Sequence, residues 1–272
     1  MTTITTLSHR ADGSVRSGYG FRTAARMEWH KLCTVRSTWW IVAIFAVSLA
    51  GLALLALGHE GYARMSAADR ASFDPVHDTF IGLVLGQLLL GTLGVLAITT
   101  EFSSGMIRAT FAAVPRRSLV LAAKAAVLGA VALAAGEIFA FAAFAAGQAA
   151  LQAPAPHATL GQPGVLRAVL LAGAYPALIA LIGLGIGALV RHTAGAICAL
   201  VGVLFVLPLV FSLGSPLQDT AQKFLPDTMR NSLIAVKPVG HLLSPGLTFG
   251  LLCGYAMAAL AAGAWALARH DA

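Results

Sequence analysis

The chain is 272 residues long, 58% hydrophobic and only 11% charged, with a mean hydropathy of +0.82. Soluble domains carry about 25% charged residues, so a water-facing surface cannot be built from this composition, and lipid is the solvent that fits it. The net charge is +7, and the three cysteines (Cys33, Cys198 and Cys253) are odd in number and far apart, which argues against a disulfide framework or a zinc site.

The first 18 residues are polar and could bury little, so they are expected to form a disordered tail, not a cleavable signal peptide. Residues 19–36 read as an amphipathic helix. Phe21, Ala25, Trp29 and Leu32 share a stripe flanked by Arg22, Arg26 and His30, with Glu28 as an imperfection near it. Trp29, Lys31, Arg36, Trp39 and Trp40 are the expected interfacial anchors, with Lys31 and Arg36 meeting anionic lipid.

A helix needs about 20 apolar residues to cross the hydrocarbon. Such runs occur at 39–58, 79–99, 118–147, 165–190, 194–213 and 246–268. The expected fold is therefore an all-α integral membrane protein with about six spans. Residues 1–38 form a tail and interfacial helix, and residues 39–272 form the transmembrane domain. The fourth and fifth runs are joined only by Arg191, His192 and Thr193, which demands a tight helical hairpin. Glycines four apart (Gly82/Gly86, Gly183/Gly187, Gly250/Gly254) predict close helix packing in lipid. Glu137 lies inside the third run, about two turns from its expected outer end, and is an intramembrane polar candidate.

Between the second and third runs, residues 101–114 carry Phe102, Met106, Ile107, Phe111 and Val114 at helical spacing. Thr100 could cap this helix, Glu101 complement its dipole and Pro115 end it. It is too short to span, so its apolar face is expected to lie exposed to lipid or to a partner. Gly105 inside it signals a close contact or a kink. Four prolines punctuate residues 214–245, which read as short helices at the opposite interface.

Charge orients the bundle. One side carries Arg10, Arg16, Arg22, Arg26, Lys31, Arg36, Arg108, Arg116, Arg117, Lys124, Arg191 and Arg269. The other carries Arg64, Arg70, Arg167, Lys223, Arg230 and Lys237, matched by six acids. The positive-inside rule places the first side, and both termini, in the cytoplasm. Orientation explains the basic pI of 9.8, so no nucleic-acid partner is needed.

Catalytic signatures are absent. The four lysines precede Leu32, Ala125, Phe224 and Pro238, so no P-loop exists. His59-Glu60 is followed by Ala63 where a zinc-protease helix needs its second His, and there is no G-x-S-x-G elbow.

Two stretches carry a family resemblance. One is Glu28-Trp29-His30-Lys31-Leu32 with Val35-Arg36-Ser37-Thr38-Trp39-Trp40. The other runs from Thr99 through Glu101-Phe102-Ser103-Ser104-Gly105-Met106-Ile107-Arg108 to Thr110, followed by Val114-Pro115-Arg116-Arg117. In these the chain resembles permease subunits of ABC-2 type ABC transporters, in the form common in high-GC Gram-positive bacteria. The resemblance implies a plasma-membrane permease, an exporter, working with a separate ATPase subunit and a second permease chain. It would bind no cofactor itself, because ATP is used by the partner. It further implies that residues 101–114 are a coupling helix, with Glu101, Phe102, Gly105, Met106, Ile107, Arg108 and Phe111 at the ATPase contact. It transfers no substrate site. An ion-coupled carrier or channel, and a non-transporting scaffold or sensor partner, remain alternatives on the residues alone.

Overall fold

A computed structural model describes residues 20–57, 66–67, 70, 73–114, 116–151, 155–213, 221–236 and 242–269. The expectations for the N-terminal tail, Pro115, Arg64 and Lys237 fall outside these residues. The described residues are helical and contain no strand.

Helix α1 (Phe21–Thr34) ends at Val35, whose extended backbone turns the chain into α2 (Arg36–Leu57). A short helix α3 (Pro75–Thr79), capped by Asp74 through the amides of Val76 and His77, leads through one 3₁₀ turn into α4 (Leu83–Ser103). After Gly105 comes α5 (Met106–Ala113), then the long α6 (Arg117–Ala150). Helix α7 (Val165–Val190) hairpins into α8 (Thr193–Val201), which continues through a π turn (Gly202–Val206) into α9 (Leu207–Ser212). Pro208 accounts for the π turn. It has no N–H to bond and its ring crowds the preceding carbonyls, so the helix widens there. Helix α10 (Pro226–Ile234) follows a 3₁₀ turn, and α11 (Pro245–Arg269) closes the chain.

Six of these segments are long and apolar enough to cross a membrane: α2, α3–α4, α6, α7, α8–α9 and α11. Their bounds follow the expected runs, except that α3–α4 begins four residues earlier and ends four later, and α6 begins one earlier and ends three later. At about 1.5 Å per residue its 34 residues reach roughly 50 Å, well beyond the hydrocarbon thickness. Glu137 lies thirteen residues before the helix end at Ala150.

Helix α7 is the hub, packed against α4, α6 and α11. Small residues make this possible. A Cβ on Gly94 would sit 1.9 Å from the Ala180 carbonyl oxygen, one on Gly183 2.2 Å from that of Gly91, and one on Gly136 2.1 Å from that of Gly173. Backbones that touch like this gain dispersion contacts that lipid cannot supply. Of the predicted glycine pairs, Gly82/Gly86 receives α2 and Gly183/Gly187 receives α4. Gly250 and Gly254 have nothing within 4 Å of a built Cβ, so that pair makes no seam within the chain. Helix α2 leaves Ile44, Val47, Leu54 and Leu55 exposed, and α8–α9 leaves Val206, Leu209 and Val210 exposed, as lipid-facing spans do.

Two arginines finish the end of α11 that lies near α1 and α5. Arg117 donates to the Leu267 carbonyl (2.9 Å) and Arg191 to the Ala266 carbonyl (2.6 Å), satisfying acceptors that the last helical turn leaves open. This is the basic end of the bundle.

Candidate functional site

At the basic end α1 lies across α6, and its underside carries Glu28, only 4% exposed. A lone buried carboxylate would be costly, but here it is the first of four interlocked charges. Lys124, in the second turn of α6, donates to Glu28 Oε2 and to Glu101 Oε1 (2.7 Å). Lys31, one turn along α1, donates to Glu28 Oε1 (3.0 Å) and to Glu101 Oε1 (2.9 Å). The Thr110 hydroxyl, on α5, lies 3.4 Å from Glu101 Oε2. Two carboxylates and two ammoniums, summing to zero charge, thus tie together α1, the end of α4, α5 and the start of α6.

Glu28, Glu101 and Lys124 are all buried, whereas Lys31 retains 28% of its side-chain exposure. Burial alone would pull the Lys31 pKa down. Its hydrogen bond to Glu101 and the field of Glu28 outweigh this, so the ammonium is held above its ordinary value. The imperfection at Glu28 on the amphipathic stripe is therefore the position that docks α1. Lys31, expected at anionic lipid, also turns toward the protein, where it meets two carboxylates.

The segment after α4 also differs from expectation. Glu101 and Phe102 belong to the last turn of α4, and Glu101 points to the lysines and does not serve a new helix's N-terminus. Thr100 lies inside α4 and caps nothing; its carbonyl instead accepts from the Ser104 hydroxyl at 2.7 Å. Gly105 is the breaker. Its φ of +70° is the left-handed conformation that ends helices, and no neighbour lies within 4 Å of a built Cβ, so it marks a turn, not a close contact.

That turn rotates α5 and changes which face is exposed. Ile107 and Val114 are buried, Phe111 packs on the core beneath Arg117 (5.3 Å), and Phe102 lies under Arg191 (5.5 Å). The expectation of an exposed apolar stripe is thus met only by Met106, which is 48% exposed. The outward face is otherwise Ser103, Ser104, Arg108, Ala109 and Ala112: small residues around one exposed guanidinium that has no partner among the described residues.

Among the anchors, Trp29, Trp39 and Trp40 are exposed at 50%, 61% and 69%, and Arg36 is exposed at the first residue of α2. The Trp39 indole donates to the Cys33 carbonyl (3.0 Å), which fixes the α1–α2 corner.

Glu137 stands apart from this cluster. Its carboxyl lies along the bare backbone of Gly173 on α7, and its Oε2 is sealed without a hydrogen-bond partner. A second buried polar group is Tyr175, which with Pro176 is the other midplane feature the sequence offers a carrier, and its partners were not legible there. The Tyr175 hydroxyl, on α7, donates to Gln87 of α4 and lies 3.1 Å from the Pro226 carbonyl, so it holds the first residue of α10 inside the bundle. Arg230 of α10 is also buried and pairs with Asp227 at 2.9 Å. Tyr175 precedes Pro176 in an apolar run, and no spacing rule joins it to Gln87. Only the α4–α7 packing brings them together.

Among the described residues no group of three or more His, Cys, Asp or Glu side chains could hold a metal. Searched against protein-family models the chain matches none, and it matches no curated protein.

Proposed function

We propose that this chain is the membrane-spanning permease subunit of an ABC-2 type transporter, an exporter of the plasma membrane driven by a separate ATPase that docks on α5. The observation that carries this reading is a short helix between the second and third spans, braced from behind by the four-charge cluster. Helix α5 has eight residues, far too few to span, and an outward face of small residues around Arg108 and Met106. A small-residue face admits close approach, and an unpaired arginine offers a fork of donors to a carboxylate or a backbone carbonyl. The bracing gives such a contact its use. A push on α5 reaches Glu101 through Thr110 and the Gly105 turn, and from Glu101 it passes to α1 through Lys31 and to α6 through Lys124.

In this reading the basic end is cytoplasmic, as the positive-inside rule requires, and both termini lie there. A second permease chain, identical or related, completes the unit. The chain itself performs no catalysis, holds no cofactor and meets no nucleic acid.

Co-purification from mild detergent tests it. The tagged chain should bring a nucleotide-binding subunit with ATP turnover, and Arg108→Ala should reduce that recovery at least about fivefold while the chain stays monodisperse. Loss of a charge-assisted hydrogen bond of about 1.5–3 kcal/mol would have that effect. Undiminished recovery with Arg108→Ala would remove α5 as the docking helix.

One observation favours a second reading, an ion-coupled carrier. Glu137 is a carboxyl within a span whose Oε2 has no partner. Under the permease reading Glu137→Gln preserves folding and changes transport modestly, because no ion pair is lost. Abolished transport with normal assembly would transfer the weight to the carrier.

A further inference from the structure

Beside the charge cluster, between α1, the start of α2 and the last turns of α4, lies a cavity of about 270 Å³. We propose that it binds one phospholipid of the adjoining leaflet, with the phosphate taken by Lys31 and Lys124 and an acyl chain laid along α4.

The argument begins with donor counting. An ammonium has three N–H groups. Lys31 uses two, on Glu28 and Glu101, and Lys124 likewise uses two, on the same carboxylates. Each lysine keeps one hydrogen, and both line the cavity together with Glu28 and Glu101, whose charges they already neutralise. The Lys124 side chain is 4% exposed, so its remaining donor has no bulk water to satisfy it. Two converging ammonium donors match an anion with two free oxygens, and a phosphodiester is such a group. The cluster itself is neutral, while Arg22 and Arg26 stand exposed on α1, so the local field favours one added negative charge.

The apolar part of the lining selects a lipid over a free anion. It includes Leu93, Leu96 and Ala97 of a membrane span, with Val35 at the α1–α2 corner. Water gains nothing against such a wall, whereas a hydrocarbon chain does. Trp39 and Trp40, exposed at the start of α2, mark headgroup depth at the same level. Headgroup and chain therefore enter together from the leaflet. The site stands whichever partner α5 meets.

Native mass spectrometry of the whole chain in mild detergent tests this, with dioctanoyl phosphatidylglycerol as the probe. The expected result is one saturable adduct. Dioctanoylglycerol, which lacks the phosphate, and inorganic phosphate, which lacks the chains, should each bind at least about tenfold more weakly, the loss expected when one charge-assisted hydrogen bond or a buried chain is removed. Ala97→Trp, which fills the cavity and leaves every charge in place, should weaken the lipid at least about tenfold, and Lys31→Met should do the same. Arg36→Met, on the exposed surface, should change binding less than about twofold. Three results would overturn the proposal. Ala97→Trp could bind the lipid as the parent does. Inorganic phosphate could match the lipid, which would mean a bare anion site. Arg36→Met could lose as much as Lys31→Met, which would mean diffuse attraction to a basic surface. Should Lys31→Met fail to fold, the Ala97→Trp and inorganic phosphate arms still decide.

Discussion

Replacing Lys124 by Met removes one ammonium from the four-charge cluster and leaves Glu28 and Glu101 sharing Lys31. Met keeps most of the volume, so the loss is electrostatic and not a cavity. Breaking a buried pair by deleting one partner costs about 3–5 kcal/mol, because the orphaned charge remains desolvated. The upper part of that range applies, since Lys124 is 4% exposed and its two carboxylate partners are 5% and 4% exposed. Helix α1 bears the cost locally, because Glu28 is what holds it to α6. Its opening free energy should fall by the same amount, and amide exchange across Phe21–Thr34 should quicken roughly a thousandfold to a few thousandfold. Exchange in α7, at the centre of the bundle, should hardly change. Hydrogen-exchange mass spectrometry in detergent reads both. The double variant Glu28→Gln/Lys124→Met leaves a neutral Glu101–Lys31 pair and should recover more than half of the lost protection. A monodisperse Lys124→Met protein whose α1 exchange rises less than about threefold would refute the claim that this cluster docks the helix.

Three further outcomes follow from the same geometry. Gly94→Ala drives a Cβ into the Ala180 carbonyl and should lose the folded bundle or cost more than the about 1–3 kcal/mol of ordinary overpacking, while Gly250→Ala, in open space, should be neutral; size-exclusion profiles after a heating series distinguish them. Tyr175→Phe deletes the donor shared by Gln87 and the Pro226 carbonyl and should cost about 1–3 kcal/mol, with faster exchange confined mainly to α10 and its flanks. Lys31 is held above its ordinary value of 10.5, so the stabilisation it provides is complete below pH 10.5 and is lost only as pH rises through the higher folded value. In a chain whose other tryptophans are replaced by Phe, Trp29 emission should therefore stay constant from neutral pH to about 10 and change only beyond; a transition centred below 10 would contradict the ion pairing.

The spans were legible because lipid leaves so little choice. A run of some 20 apolar residues must be helical to satisfy its own backbone, and it must stop where charge begins. The run 165–190 was ended in this way by Arg191. The end of the third run was less legible, since the alanine-rich stretch to Ala150 is compatible with helix both inside and beyond the hydrocarbon. Gly105 could be read as a breaker but not as a hinge that reverses the exposed face of α5, because spacing gives a stripe and not the direction it points. Glu28 was visible as a blemish, Lys124 only as one more basic residue on its side, and Glu101 as a helix-dipole partner. What joins them is the crossing of α1 over α6, set by packing between segments about a hundred residues apart, and no local pattern encodes it. The blemish was nevertheless the informative signal. A charged residue on the apolar face of a helix is retained when an opposite charge waits across the interface. Here the interface supplies Lys124 to Glu28 and Glu101 to Lys31, and so converts an amphipathic helix lying on a membrane into one bolted to the bundle at the point where a partner would push.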